Sequence, residues 1–214
     1  QAPEKNDSLS RKIDRAEQIN PTTVQLIFSD KRRLTIDFYG KNIFRVFEDT
    51  SGGIVRNPEA MPPANILVEN PRKSPGTLKV VTNVNTISIA SAKISIEINR
   101  NTSLLKVTNN ATKKVVMEMI KPVAFGEGKV TLVLKENPKE YFYGGGVQNG
   151  RFSHKGKSIA IVNENSWTDG GVASPAPFYW STNGYGFMWH TFKPGKYDFG
   201  GKQNGEGSLA HNAS

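Results

Sequence analysis

Lys93-Ile94-Ser95-Ile96-Glu97-Ile98 alternates apolar and polar residues without a break. A period of two puts the three isoleucines on one face of an extended strand and Ser95 and Glu97 on the other. The same reading spreads in both directions. Upstream, Val24, Leu26 and Phe28 alternate with polar residues, as do Leu34, Ile36 and Phe38, followed by Ile43, Phe44, Val46 and Phe47. Strands are predicted over Leu78–Thr82, Thr86–Ala90, Lys93–Ile98, Leu104–Thr108 and Lys114–Met119, and Val130, Leu132 and Leu134 continue the pattern. Turn formers divide the runs: Ser29-Asp30, Gly40-Lys41-Asn42, Asn83, Asn99–Thr102 and Asn109-Asn110. No window longer than about ten residues has apolar positions at helical spacing. The expectation is an all-β protein: two packed antiparallel sheets, a β-sandwich, with under a tenth of the chain helical. No internal repeat supports a propeller or a solenoid.

Two stretches depart from the pattern. Residues 1–20 are polar and read as a flexible N-terminal segment. Residues 50–76 carry Gly52-Gly53, Pro58, Pro62-Pro63, Pro71 and Pro75. Proline removes ladder donors, so an extended surface excursion is expected there. Because strands of the same type resume at Leu78, residues 21–214 are predicted to form a single domain.

Composition narrows the function. The chain has no cysteine, which excludes disulfides, thiolate metal sites and a thiol nucleophile. No apolar run approaches the roughly 18 residues of a membrane helix. The sequence begins at Gln1 without a methionine or an apolar leader, which fits a mature exported protein after signal cleavage or an excised segment. A net charge of +9 raises the question of nucleic acid, but +7 of it is spread through residues 1–140. The one tight cluster, Lys31-Arg32-Arg33, reads as a solvated hairpin turn, and no nucleic-acid partner is expected.

The chemistry-bearing residues gather between Glu140 and His190. That span holds all three tryptophans, Trp167, Trp180 and Trp189, and two of the three histidines, His154 and His190. Aromatic faces beside short polar groups on glycine-shaped loops suit a sugar, which shows an apolar ring face and a rim of hydroxyls. The same residues also suit the core and turns of a β-protein. Phe142-Tyr143-Gly144-Gly145-Gly146 lacks the Gly-Lys-Ser/Thr of a phosphate loop and reads as a bulged turn at a sheet rim. Within Trp167-Thr168-Asp169-Gly170-Gly171, Asp169 offers a hydrogen-bond acceptor for hydroxyls and Trp167 a ring cover. The competing reading is a turn capped by Asp169 over a packed Trp167. Glu164 is the nearest other carboxylate. A glycosidase pair stands roughly 5–10 Å apart on rigid elements, and one loop holding both Glu164 and Asp169 is a poor way to fix that spacing. His154, His190 and His211 are too dispersed for a metal site, and no metal or cofactor is expected.

Phe-Tyr-Gly-Gly-Gly at 142–146, Trp-Thr-Asp-Gly-Gly at 167–171 and Pro-Phe-Tyr-Trp-Ser-Thr-Asn-Gly-Tyr-Gly-Phe at 177–187 resemble, in order and spacing, the N-terminal β-domain of glycoside hydrolase family 31, the α-glucosidase and α-xylosidase family. Asn42-Ile43-Phe44-Arg45-Val46 resembles an early strand of that domain. The resemblance implies a galactose-mutarotase-like supersandwich placed before a (β/α)₈ barrel that carries both catalytic aspartates of a retaining hydrolase. It implies that the domain lends a loop to the active-site mouth and that Asp169, with Trp167 and Thr168, contacts an α-linked glucoside or xyloside. Thr168 stands where an arginine commonly precedes that aspartate. Val147-Gln148 after the glycines is a second departure from the family pattern.

A barrel needs about 250 residues, and no segment here has its strand–helix alternation. The chain is therefore expected to act as an accessory domain of an exported, periplasmic or extracellular α-glycosidase. It would not be catalytic alone, and the barrel of the full-length protein would be its partner. The alternatives are a stand-alone carbohydrate-binding β-sandwich and, less favoured, a mutarotase-like enzyme with a histidine acid and a carboxylate base.

Overall fold

A computed structural model describes residues 12–48, 73–126, 128–148, 150, 152–163, 172–191, 193–200 and 207–213. These contain strands and turns and no helix, so the expected all-β antiparallel class is found. The chain divides into two compact units, one within Gln1–Pro62 and Leu67–Val115, the other within Pro63–Ile66 and Val116–Ser214.

Unit 1 carries two antiparallel meanders. The first runs β1 (Ile13–Asn20), β2 (Thr23–Phe28), β3 (Arg33–Phe38) and β4 (Phe44–Glu48). The second runs β5 (Lys79–Thr82), β6 (Thr86–Ala90), β7 (Ile94–Asn99) and β8 (Leu105–Asn109). Their apolar alternates are buried as the period predicts: Val24, Leu26, Ile36 and Phe38 in one sheet, Ile87, Ile89, Ile94, Ile96 and Ile98 in the other. Ile89 stands directly across from Ile96, so neighbouring strands present matched apolar faces. Lys31 and Arg32 lie in the β2–β3 turn, and Arg33 opens β3. Lys31 takes a positive φ of 73°, and Arg32 closes the turn on Asp30 at 2.7 Å.

Two features of unit 1 differ from the sequence expectation. The polar stretch before Asn20 forms strand β1 from Ile13 on. Its own composition does not demand a strand. The stretch is held by backbone pairing to β2 and by the Ile13 amide, which donates to the Arg100 carbonyl at 2.7 Å. The Arg100 guanidinium adds bonds to the carbonyls of Asp14 at 2.5 Å and Ile13 at 3.3 Å, and to those of Asn83 at 2.9 Å and Val84 at 3.3 Å. Pairing overrides propensity at such a position.

The second difference is that the polar alternates of β2 and β3 are buried as well. Thr23, Gln25, Thr35 and Asp37 are each 1% exposed. They satisfy one another across the strands: Thr23 Oγ1 donates to Asp37 at 3.1 Å and Gln25 Nε2 to Thr35 Oγ1 at 3.4 Å. Arg33 reaches Gln25 Oε1 at 2.9 Å, and Arg45 reaches Asp37 at 3.4 Å. A buried polar group without such a partner costs about 1–3 kcal/mol, so the ladder is what makes this burial tolerable.

Unit 2 is built from β9 (Val115–Gly126), β10 (Lys129–Lys135), β11 (Phe142–Gln148), β12 (Ser158–Ile161), β13 (Val172–Ser181), β14 (Tyr185–Met188), β15 (Gly195–Asp198) and β16 (Ser208–Ala213). One sheet has the order β12-β15-β16-β10-β9 and the other β11-β13-β14. β12 thus belongs to the first of these sheets and β13 to the second.

Candidate functional site

The three-stranded sheet of unit 2 has two unlike faces. Along β13 the side chains alternate: Phe178 is 44% exposed, Tyr179 0%, Trp180 47% and Ser181 4%. The inward face collects Phe142 and Tyr179, which meet Tyr197, Phe199 and His211 from the other sheet. Phe142 stacks on Phe199 at 4.7 Å, and Tyr179 meets Phe199 edge-on at 4.9 Å and Tyr197 at 5.0 Å. Tyr179 touches the other four rings, so β13 is packed onto the other sheet through an aromatic cluster.

The outward face is aromatic too, and open. Tyr143 stands across from Trp180 in the β11–β13 ladder, and their rings stack at 4.6 Å with 28° between planes. Phe152, 90% exposed, meets Tyr143 edge-on at 5.8 Å. Phe178 and Met188 pair on the same face, and Gly186 opposite Trp180 adds no side chain. A contiguous exposed aromatic face of this kind marks a surface built to meet something.

The triglycine motif is a bulge inside β11, which bears out the turn-at-a-rim reading in kind and places it within the strand. Gly144, Gly145 and Gly146 have φ values of 109°, 78° and 78°. The register to β13 slips between the Gly144–Tyr179 and Gly146–Pro175 pairs. A Cβ on Gly144 would stand 2.8 Å from the Phe178 carbonyl oxygen, and one on Gly146 2.6 Å from the Ala176 nitrogen. Both the left-handed backbone and the close approach of β13 therefore require glycine.

Beneath the sheet lies a polar chain that sequence reading missed. The Tyr179 hydroxyl is 2.8 Å from His211 Nε2 and 3.4 Å from the Tyr185 hydroxyl. Glu140, 2% exposed, accepts from the Ser181 hydroxyl and, at 2.9 Å, from the Asn137 amide. Burial drives the His211 pKa down to about 3 against weaker opposing effects of the Ala210 backbone and Asp198, so its imidazole is neutral. Burial also holds the Tyr179, Tyr185 and Tyr197 phenols protonated, above their ordinary value. His211 is bonded to a phenol rather than to a carboxylate, and His154 Nε2 lies 2.8 Å from the Gly144 carbonyl oxygen. The signal for the buried chain was present in the alternation of β13 and in the lone Glu140 before an aromatic strand. The partner of Tyr179, however, lies 32 residues away.

Trp167, Thr168, Asp169 and the neighbouring Glu164 lie outside the described residues. Their flanks are placed: β12 ends at Ile161, and β13 begins at Val172, opposite Gln148. Among the described residues no group of three or more His, Asp or Glu side chains is arranged to hold a metal. No helix among them is long and apolar enough to cross a membrane.

Solved structures with similar folds include a glycoside hydrolase family 31 dextranase of Flavobacterium johnsoniae, at TM-score 0.82 and 14% identity. The cycloalternan-forming enzyme of Listeria monocytogenes follows at 0.78 and 15%, and an α-xylosidase from a soil metagenome at 0.67 and 18%. These alignments cover 96%, 95% and 94% of this chain but 25%, 19% and 32% of the respective proteins. The chain thus spans a third or less of each. No curated protein matched by sequence. The family model described as the glycosyl hydrolase 31 N-terminal galactose mutarotase-like domain matches residues 33–198. Matched through most of its length, and carrying the bulged glycine strand and aromatic strand β13 inside the matched span, the chain belongs to that family of glycoside hydrolase 31 N-terminal domains.

Proposed function

We propose that this chain is the accessory N-terminal domain of a retaining α-glycosidase, exported from the cell, with its catalytic aspartates on a (β/α)₈ barrel of the same full-length protein. The segment between β12 and β13 would be lent to the active-site mouth, where Asp169 accepts hydrogen bonds from sugar hydroxyls and Trp167 covers a ring face. Thr168 would leave that site less positively charged than an arginine would. The substrate would be an α-linked glucoside or xyloside. The dextranase relative was solved with glucose and with isomaltotriose, and the soil metagenome α-xylosidase with xylose.

The observation that carries this reading is the open aromatic face of Tyr143, Phe152, Phe178 and Trp180. A free-standing domain gains nothing by exposing it, whereas a domain seated on a larger body buries it. The same strand, β13, emerges directly from the Asp169 segment, so seating that face would also hold the segment at the partner's surface.

The test is Asp169→Ala in the full-length protein. kcat/KM on an aryl α-glycoside should fall by about 1.5–3 kcal/mol of transition-state binding, with domain stability changed by less than about 0.5 kcal/mol. Unchanged kinetics with a clearly lower Tm would make Asp169 a turn cap and overturn the role. The exposed indole of Trp180 favours one second reading, a stand-alone carbohydrate-binding module. Saturable binding of an α-glucan to the isolated chain, abolished by Trp180→Ala, would support it.

A further inference from the structure

The lysines look scattered in the sequence, but folding gathers five of them at one end of unit 1. Lys41 lies in the β3–β4 turn, Lys73 leads into β5, Lys93 lies in the β6–β7 turn, and Lys113 and Lys114 lie in the β8–β9 turn. These segments are joined directly. The Ser91 hydroxyl donates to the Lys41 carbonyl. The Asn110 amide donates to the Lys93 carbonyl at 2.9 Å, and its side-chain Nδ2 to the Ser91 carbonyl at 3.0 Å. The Lys73 amide donates to the Tyr39 carbonyl at 3.0 Å, two residues from Lys41. Asn109 and Lys114 pair at 2.9 Å to close the last turn.

All five lysines are exposed, and none forms an ion pair among the described residues. Elsewhere in the unit several cations are matched, Lys106 with Glu97 at 2.8 Å, Arg15 with Glu17 at 2.7 Å, Arg32 with Asp30 at 2.7 Å and Arg45 with Asp37 at 3.4 Å, while Lys12, Lys31 and Lys79 are exposed without an ion pair among the described residues. Of the eight described lysines of the unit without an ion pair, five stand on segments bonded to one another. Over such separations their fields add, before screening across roughly 8–10 Å removes them.

We propose that this end of unit 1 is a docking surface for an anionic lipid membrane. The chemistry of the cluster selects that occupant. Every cation is lysine, a hydrated point charge without the planar fork of arginine that recognises individual phosphates bidentately. Tyr39, two residues from Lys41, is 8% exposed and offers no stacking platform for bases, which a single-stranded nucleic acid would use. The charges stand on turn tips rather than along a groove, which suits an extended anionic plane more than a threaded polymer. Docking of this kind is peripheral and electrostatic, and it does not depend on the sugar-recognition role of unit 2.

The test is co-sedimentation of the 214-residue chain with vesicles of 70% phosphatidylcholine and 30% phosphatidylserine at 100 mM salt. Binding is expected, with none to pure phosphatidylcholine vesicles and a steep loss at 500 mM salt. Each lysine near the surface carries about fivefold in affinity. Lys41→Gln, Lys93→Gln, Lys113→Gln and Lys114→Gln combined should weaken binding on the order of several hundredfold. Lys129→Gln, Lys139→Gln, Lys157→Gln and Lys193→Gln combined, an equal change in net charge at exposed sites of unit 2, should change it little. Equal losses in the two variants would reduce the effect to net charge and overturn the proposal. So would failure to bind the anionic vesicles, or tighter binding to duplex DNA than to vesicles at equal salt. Circular dichroism and Tm of both variants should match the parent, since the changed side chains are exposed.

Discussion

His211→Gln tests the buried polar chain of unit 2 through its pH dependence. His211 is 1% exposed, and burial holds its folded-state pKa at about 3. In the unfolded chain an imidazole titrates near 6.5. The folded value is the lower one, so the folded state resists protonation. The stability linked to this group is fully present above about pH 6.5 and is lost as pH falls toward 3. Integrating between the two values, the native state loses about 2 kcal/mol at pH 5 and about 3 kcal/mol at pH 4, relative to pH 8. Glutamine keeps a polar atom for the Tyr179 hydroxyl but cannot be protonated. It also gives up ring contacts with Tyr197 and Phe199 at 5.0 and 5.5 Å, which lowers stability equally at every pH. The assay is urea unfolding of parent and variant at pH 8 and pH 5, comparing the drop in each. The parent should lose about 2 kcal/mol more than the variant. His154, His190 and the carboxylates are common to both proteins and cancel. Parallel pH dependences would show that His211 is not held neutral by burial, and the account of the core would fail.

Gly146→Ala should destabilise the chain by about 3 kcal/mol or more, from left-handed backbone strain and collision with β13; a thermal melt within a degree of the parent would refute the bulge argument. Arg100→Met should cost about 2–3 kcal/mol by removing four bonds to carbonyls, and it should speed amide exchange selectively in β1; uniform exchange through unit 1 would deny the clamp. Tyr179→Phe should cost about 1 kcal/mol, the hydroxyl's net share, whereas Tyr179→Ala should cost about 3–5 kcal/mol by opening a cavity, as read by urea unfolding. Trp180→Ala should leave the isolated chain within about 1 kcal/mol of the parent, because that ring is half exposed; a loss as large as that of Tyr179→Ala would mean that the outward face is core.

Much of the candidate site was legible as motif and little as geometry. The order of Phe142–Gly146, Trp167–Gly171 and Pro177–Phe187 pointed to the family that residues 33–198 match. In the structure Phe178 and Trp180 face away from Tyr179, as a period of two requires. Periodicity could not say that Tyr143 stacks on Trp180, because that contact depends on the pairing of two strands distant in sequence. Nor could it join Glu140 to Ser181 across 41 residues or Tyr179 to His211 across 32.

What the sequence determined by itself was the local rule: alternation of two, β-branched and aromatic runs, and turns at Ser29-Asp30, Asn99–Thr102 and Asn109-Asn110. These are properties of a strand and its immediate neighbours, and they suffice for an antiparallel all-β class. The tertiary structure decided everything that depends on which strands meet. It buried both faces of β2 and β3, so that Thr23, Gln25, Thr35 and Asp37, polar by composition, became an internal ladder. It made a strand of the polar segment at Ile13–Asn20, because backbone pairing asks only for a partner with open donors and acceptors. It brought five lysines, separated by up to 73 residues, to one end of a unit. Lysines on separate turns share no pattern in the sequence, so only long-range pairing could reveal where they gather.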